Sequence, residues 1–161
     1  MSEQSLGTAC VVERVFDAPA ALVWQLWTDP EHFKQWYGPK GFSIPVAEMD
    51  VQVGGKRLVA MASPDGKMKM WTTGEYTEVT PTTRLVYTES PSDDKGNVMD
   101  PADMGMPPGY PAVTEVTVVL EEANGKTKMV LTHSGVPEQA AGCWGQAFDK
   151  MADHIATFGV K

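Results

Sequence analysis

The sequence has few cysteines, few basic residues and no long apolar run. Its two cysteines, Cys10 and Cys143, have no companion Cys or His at metal-ligand spacing, so we expect buried thiols and neither a disulfide framework nor a metal site. Thirteen basic residues against twenty-one acidic ones give a formal net charge of −8, which disfavours nucleic acid and anionic membranes as partners. The chain contains no segment typical of a membrane span, and residues 1–7 lack the features of a signal peptide. We therefore expect a cytoplasmic protein without membrane insertion.

The sequence also lacks the motifs of common catalytic sites. It contains no nucleophile elbow, no phosphate-binding glycine loop and no dinucleotide fingerprint, and the pair Gly54-Gly55 is typical of a hairpin turn. We therefore expect no cofactor and find no motif that supports nucleophilic chemistry.

The composition is that of one folded domain. Hydrophobic residues make up 42% and charged residues 21% of the 161-residue chain, which is enough apolar material for a sizeable core. We expect a single domain over residues 1–161. Both a monomer and a homodimer remain open.

Residues 137–158 form the longest segment with helical periodicity. Pro137 suits the first turn of a helix, and Gly159 suits the end. Steps of three and four residues place one group of large apolar side chains on a single face: Trp144, Phe148, Met151, Ile155 and Phe158. Burying these five side chains contributes on the order of 10 kcal/mol before opposing terms, so the helix requires a broad apolar partner.

The preceding sequence predicts that partner, a curved antiparallel sheet. A strand over 8–16 is followed by two short helices, the first signalled by Asp17 and Pro19 and the second by Asp29-Pro30. Asn124-Gly125 predicts a tight hairpin. The remaining predicted strands cover 44–53, 56–63, 68–79, 84–89, 113–122 and 126–134. The order predicts an α+β fold in which the long helix lies across the sheet, the short helices close one end, and a cavity remains between them.

Residues 90–111 predict a long loop with its own apolar side chains. The segment is rich in Pro, Gly and Asp, but it also contains Met99, Met104, Met106 and Tyr110. A structureless loop of this length inside a compact domain is usually functional or disordered. We interpret it as a lid over one mouth of the cavity.

Several motifs together resemble one known family. They are RVFDAPAALVWQLWTDPEHFKQWYGP at 14–39, DVQVGGKRLVAM at 50–61, GEYTEV at 74–79, MGMPPGYPAVTEVTV at 104–118 and HSGVP at 133–137. The chain resembles the Hsp90 ATPase activator-like (AHSA-type) family of the SRPBCC superfamily, which includes START domains and birch-pollen-type allergens. The resemblance covers nearly the whole chain. It implies a helix-grip fold around a hydrophobic pocket, but not one chemistry, because relatives include lipid carriers and cyclases.

The candidate site residues are aromatic, methionine and leucine side chains, with one histidine. Regularly spaced residues of these types are more often plain core, but the set as a whole has the adaptable apolar character of ligand sites. Relatives often carry aromatics where this chain has Leu58 and Ala60, which implies either a larger pocket or a repacked neighbour. The predicted ligand-binding residues are Trp36, Leu58, Met70, Tyr76, Tyr87, Met104, Met106, Tyr110, His133, Trp144 and Phe148.

His133 is the one weak catalytic candidate. Alternation places it on the same side as Met129 and Leu131, where a buried histidine bonded to a hydroxyl is the commoner arrangement. An acid–base pair would need an inward carboxylate: Glu75 is expected to point outward, whereas Glu48, Asp50 and Glu89 are undecided. His32 and His154 are expected on the surface.

Three functions are consistent with these observations. The first is binding of a small hydrophobic or aromatic molecule, such as a lipid, without turnover. The second is a cyclase, dehydratase or hydrolase that uses His133 with a pocket carboxylate or Tyr87. The third is a stress-related interaction module or chaperone cofactor. Chaperone activation is disfavoured, because the chaperone cofactor that gives the family its name carries a further domain. We favour the first.

Overall fold

The chain folds into one curved antiparallel sheet and three helices, as a computed structural model describes it for residues 9–38, 41–99, 113–135 and 140–158. The elements are β1 (Ala9–Phe16), α1 (Ala20–Thr28), α2 (Pro30–Phe33), β2 (Ser43–Met49), β3 (Lys56–Ala62), β4 (Lys69–Thr80), β5 (Arg84–Ser92), β6 (Thr114–Ala123), β7 (Lys126–Ser134) and α3 (Ala140–Phe158). The strands are ordered β1-β7-β6-β5-β4-β3-β2. This arrangement confirms the predicted α+β class and helix-grip fold. No helix in the described ranges is both long and apolar enough to cross a membrane.

Helix α3 presents its predicted apolar stripe to the concave face of the sheet. Trp144, Phe148, Met151 and Ile155 are each 8% exposed or less, so the helix is held mainly by burial of this stripe. Phe148 meets Phe16 of β1 edge-on at a centroid distance of 6.3 Å. The predicted helix residues 137–139 and the predicted stop at Gly159 lie outside the described residues.

The two short helices close one end of the sheet as predicted. The Asp29 carboxylate accepts a hydrogen bond from the N–H of Glu31, which caps α2, and Pro30 occupies its first turn. Trp27 of α1 lies 4.6 Å from the ring of Trp36, and both side chains are buried. These rings extend the apolar surface of α3 to the end of the sheet.

Strand β2 ends earlier than the sequence predicted, at Met49 instead of residue 53. The N–H of Asp50 already donates to the carbonyl of Lys56, which begins the turn. Gly54 has a φ of +84°, and a Cβ on Gly55 would lie 1.9 Å from the Asp50 carbonyl oxygen. Gly55 has no room for a side chain, and the positive φ of Gly54 favours glycine, which is the physical basis of the Gly54-Gly55 pair.

Strand β5 is longer than predicted and includes residues 90–92, which were expected to begin the loop. It continues to Ser92, after which the Asp93 carboxylate accepts hydrogen bonds from the N–H groups of Lys95 and Asn97. An isolated bridge between Ser92 and Val98 closes this turn. The predicted loop over 90–111 therefore begins later than expected. Residues 100–111, with Met104, Met106 and Tyr110, lie outside the described residues.

Candidate functional site

The inner face of the sheet brings a small polar cluster into an aromatic interior. Strand alternation and register place Arg57 of β3 beside Gly74 of β4, and Tyr87 of β5 between Tyr76 and Val116. Glu89, Thr114 and His133 follow on the same face of β5, β6 and β7. The polar groups bond to one another. His133 also accepts a hydrogen bond from Trp144 of α3, so the cluster lies under this helix.

The walls of this interior are aromatic rings that contact one another. Trp144 lies 5.6 Å from Phe148 and 5.7 Å from Tyr37, both measured between ring centroids. Tyr76 and Tyr87 meet at 5.9 Å. Exposure at these five rings ranges only from 0% to 8%, so the described part of the interior is closely packed.

Arg57 is the buried cation of this interior. It is 1% exposed, and its guanidinium carbon lies 3.9 Å from the centroid of the Tyr87 ring, which attracts the positive charge. Its Nη1 lies 3.7 Å from Oε2 of Glu89, which forms an ion pair but is too long for a hydrogen bond. Nε, Nη1 and Nη2 are the only buried side-chain nitrogen or oxygen atoms in the described ranges that lack a hydrogen-bond partner.

Two buried phenols connect this ion pair to the short helices. The hydroxyl of Tyr37 donates to Oε2 of Glu89 at 3.1 Å and lies 3.2 Å from the hydroxyl of Tyr87. Burial, with the nearby Glu89 carboxylate, holds the pKa of Tyr37 well above its usual value. Burial also raises the pKa of Tyr87, although Arg57 opposes the shift. Both phenols therefore stay protonated near neutral pH.

His133 is held in one tautomer by a chain of hydrogen bonds. The indole N–H of Trp144 donates to Nδ1 at 3.1 Å, so Nδ1 carries no proton and Nε2 carries it. Nε2 then donates to the Thr114 hydroxyl at 2.9 Å, and that hydroxyl donates to the backbone carbonyl of Glu89 at 3.1 Å. In this series of hydrogen bonds, the donor at each step fixes which atom of the next group must accept.

This arrangement keeps His133 neutral. A second proton would sit on Nδ1, where it would face the N–H of Trp144 and remove an accepted hydrogen bond. Burial also lowers the pKa of His133, with a smaller opposing effect from Glu89, whose Oε1 lies 3.8 Å from Nε2. The histidine is therefore suited to hydrogen bonding and poorly placed to exchange protons with a substrate.

Most of the described candidates lie on the inner face. Trp36, Tyr76, Tyr87, His133, Trp144 and Phe148 are all buried, and Met70 is half-buried on the same face of β4 as Tyr76. The structure corrects the position of Leu58, which points outward because it alternates with the inward Arg57. The expected enlargement of the interior at Leu58 therefore does not occur. Met104, Met106 and Tyr110 lie outside the described residues.

Sequence reasoning missed Arg57, Tyr37 and Thr114 and left Glu89 undecided. The alternation of β3 would have placed Arg57 on the same face as Val59, which is 1% exposed. The signal was overlooked because arginine is seldom fully buried. Glu75, in contrast, points outward as predicted and pairs with Lys56 at 3.2 Å.

Two grooves lie away from this interior. The larger, about 540 Å³, is on the outer face of β2–β5 beneath the turn after β5. Its lining includes Leu58 and Val98, the charged residues Lys56, Glu75 and Lys95, and part of Arg57, so charged and polar residues occupy much of its wall. The smaller, about 320 Å³, lies between the end of β1 and α3. Neither groove is the cavity that the sequence predicted between helix and sheet, which stays a prediction.

His32 and His154, which were expected on the surface, are partly exposed and lie against each other. Nδ1 of His32 and Nε2 of His154 lie 3.2 Å apart, and both side chains are half-buried between α2 and α3. Burial and the neighbouring His32 lower the pKa of His154. The described residues contain no group of three or more His, Cys, Asp or Glu side chains that could hold a metal ion.

Solved structures with this architecture come from several bacteria. A protein from Chromobacterium violaceum is 24% identical, with a TM-score of 0.76 over 90% of this chain and 94% of the other. A protein from Arthrobacter aurescens is 23% identical, with a TM-score of 0.74 over 98% and 90% of the two chains. An AHSA1 protein from Silicibacter pomeroyi is 18% identical, with a TM-score of 0.73 over 94% and 99%. These likenesses show a shared fold.

A search of curated proteins found no match. The family model described as activator of Hsp90 ATPase homolog 1-like protein matches residues 17–156, which is most of the chain and includes every described residue of the polar cluster. The chain therefore belongs to the family of activator of Hsp90 ATPase homolog 1-like proteins.

Proposed function

We propose that this protein binds a small hydrophobic or aromatic molecule between α3 and the sheet, without converting it. The observation that carries the proposal is an interior of aromatic walls around a few convergent polar groups, the composition typical of small-molecule sites. Membership of the family supports a module that binds a ligand or assists another protein.

The polar cluster has one side nearest to solvent, where a ligand would enter. The side chains of Glu89 and His133 are 15% and 10% exposed, and Trp144 is 8% exposed. Arg57, which pairs with Glu89, is 1% exposed. Because the described rings are closely packed, binding requires Trp144 and its neighbours on α3 to move away from the sheet. The predicted lid over 90–111 belongs to this proposal.

The geometry of His133 favours binding over catalysis. A general base needs a free acceptor nitrogen, but Nδ1 already accepts from Trp144 and Nε2 carries the proton donated to Thr114. Glu89 is the inward carboxylate that an acid–base pair would require, yet it already accepts from Tyr37 and pairs with Arg57. His133 and Glu89 therefore stabilise the interior through these bonds, and we propose that they orient a ligand.

Tryptophan fluorescence against a panel of lipids, flavonoids and polyketide-like aromatics tests the proposal. We expect at least one panel member to quench Trp144 and to bind in a 1:1 ratio. His133→Gln should weaken that binding by only about 0.5–1.5 kcal/mol, because Gln retains one hydrogen-bonding group but cannot titrate near neutral pH. Asp153→Ala, on the exposed side of α3, is the matched control.

Two outcomes would overturn the proposal. Absence of binding across the panel would reject a small-molecule site. Conversion of a bound panel member by the wild type, with a loss of more than about a hundredfold in the Gln variant while binding persists, would show general acid–base catalysis instead.

We further propose a cytoplasmic location and no nucleic-acid partner, which the net charge of −8 supports.

A further inference from the structure

The distance between Arg57 and Glu89 indicates which kind of polar group could bind between them. Nη1 and Oε2 are 3.7 Å apart, about 0.7 Å beyond an ordinary N–H···O distance. Among the described residues, the three guanidinium nitrogens of Arg57 have no partner at hydrogen-bond geometry, although the side chain is 1% exposed. Buried donors are nearly always bonded, and an unmade bond to a charged group is especially costly. Such a site favours binding of an acceptor that the described residues do not supply.

The aromatic neighbours of Arg57 do not fill this role. The face of Tyr87 lies 3.9 Å from the guanidinium carbon and Phe33 lies 5.6 Å away. A ring face attracts the positive charge, but it does not replace the oxygen acceptors that the planar N–H groups require. The hydroxyls of Tyr37 and Tyr87 are already bonded to Glu89 or to each other. The Tyr76 hydroxyl lies close enough to Arg57 for the guanidinium to lower its pKa against the larger effect of burial, but it makes no hydrogen bond of ordinary geometry to the three nitrogens.

The charges of the cluster sum to zero without any ligand. Arg57 is positive and Glu89 is the carboxylate that it pairs with. His133 is neutral because Trp144 bonds to Nδ1, and burial keeps the phenols of Tyr37 and Tyr87 protonated. A carboxylate or phosphate added here would leave one buried negative charge uncompensated, which is strongly unfavourable.

We propose that the ligand carries a neutral hydroxyl group, an alcohol or a phenol on an apolar body, that bridges Arg57 and Glu89. This inference rests on the proposed function and defines the class of molecule bound. A hydroxyl both accepts and donates, so one oxygen can accept from Nη1 and donate to Oε2. An oxygen about 2.9 Å from each atom fits across a separation of 3.7 Å. Neither a hydrocarbon nor an anion satisfies both partners.

Three probes of the same ring size test this chemistry: naphthalene, 2-naphthol and 2-naphthoate. They share an apolar body and differ in having no polar group, a neutral hydroxyl at about pH 7, or a charged carboxylate. Isothermal titration calorimetry measures their dissociation constants with the whole protein. We expect 2-naphthol to bind about tenfold tighter than naphthalene, and 2-naphthoate to bind more weakly than either.

A double variant tests whether Arg57 and Glu89 set this order. Arg57→Gln with Glu89→Gln removes both charges together, so no uncompensated charge is left buried. We expect the preference for 2-naphthol over naphthalene to fall to about twofold or less, compared with tenfold in the wild type. Lys56→Gln, the outward neighbour on β3, should keep the wild-type preference. Near-UV circular dichroism checks that each variant is folded.

A measurement on the wild type tests the same contact even if the double variant does not fold. The Nε–H resonance of Arg57 should shift on addition of 2-naphthol and change less with naphthalene. Equal affinity for naphthalene and 2-naphthol, or tighter binding of 2-naphthoate, would overturn the hydroxyl inference while leaving the proposed function in place. If neither these probes nor the wider panel binds, both are wrong.

Discussion

His133 and Arg57 show at the residue scale how differently two buried polar side chains are accommodated. His133 has a partner for each ring nitrogen, since Trp144 donates to one and Thr114 accepts from the other. Arg57 has an ion-pair partner and aromatic neighbours, but within the described ranges its three nitrogens make no hydrogen bond of ordinary geometry. A satisfied group stabilises and rigidifies the interior, whereas an unsatisfied one favours whatever ligand completes it.

The first residue-scale prediction concerns stability and pH. Burial lowers the pKa of His133 below that of an unfolded histidine, so the unfolded chain binds the proton more readily. Its contribution to stability is therefore complete above about pH 6.5 and is lost as the pH falls through the lowered pKa. The free energy of unfolding should fall more steeply below pH 6.5 in the wild type than in His133→Gln.

Urea unfolding at a series of pH values measures this difference. The lowered pKa of His154 is present in both proteins, so it cancels in the comparison. A difference between the two proteins that stays constant from neutral to acid pH would contradict the account of a neutral, buried His133. Nitrogen chemical shifts of the ring should independently report the Nε2–H tautomer.

At the scale of single elements, the packing of one ring, Phe148, holds α3 in place. Phe148 contacts Phe16, Trp27, Trp36 and Trp144 at centroid distances between 5.6 and 6.4 Å and is 0% exposed. Its ring therefore joins β1, α1, the segment that follows α2, and α3. Losing it should disturb the whole interior.

Phe148→Ala should lower the free energy of unfolding by about 3–5 kcal/mol, because a fully packed ring leaves a cavity when it is removed. Chemical denaturation measures the loss. Asp153→Ala, on the exposed side of the same helix, should change stability by no more than about 0.5 kcal/mol. A loss below about 1 kcal/mol for Phe148→Ala would mean that α3 does not pack through this ring.

Two glycines give opposite predictions for the same substitution. A Cβ on Gly74 would lie 1.8 Å from the carbonyl oxygen of Thr88 and 3.5 Å from Cγ of Arg57, so Gly74→Ala should destabilise by about 1–3 kcal/mol or more. A Cβ on Gly145 meets nothing within 4 Å, so Gly145→Ala should stabilise α3 by about 0.5–1 kcal/mol. Thermal unfolding of the two variants distinguishes the effects, and equal shifts would contradict the described approach of β4 to β5.

At the scale of the whole molecule, periodicity predicted the architecture, and side-chain chemistry at single positions did not follow from it. Alternation and the Asn124-Gly125 turn predicted β6 and β7, and the spacing of Trp144 to Ile155 predicted the buried face of α3. The burial of Arg57 was missed because average behaviour places arginine on the surface. Leu58 was included because relatives often carry aromatic residues at this position, whereas the parity of β3 places it on the outer face. Contacts across strands, which determine both positions, are not local properties of the sequence.

The most direct test of the central claim is where a bound probe contacts the protein. Intermolecular nuclear Overhauser effects from 2-naphthol report which side chains lie beside it. We predict contacts to Trp144, Tyr87 and Thr114 around the polar cluster. Contacts confined to Leu58 and Val98 would place the molecule in the outer groove and contradict an interior binding site.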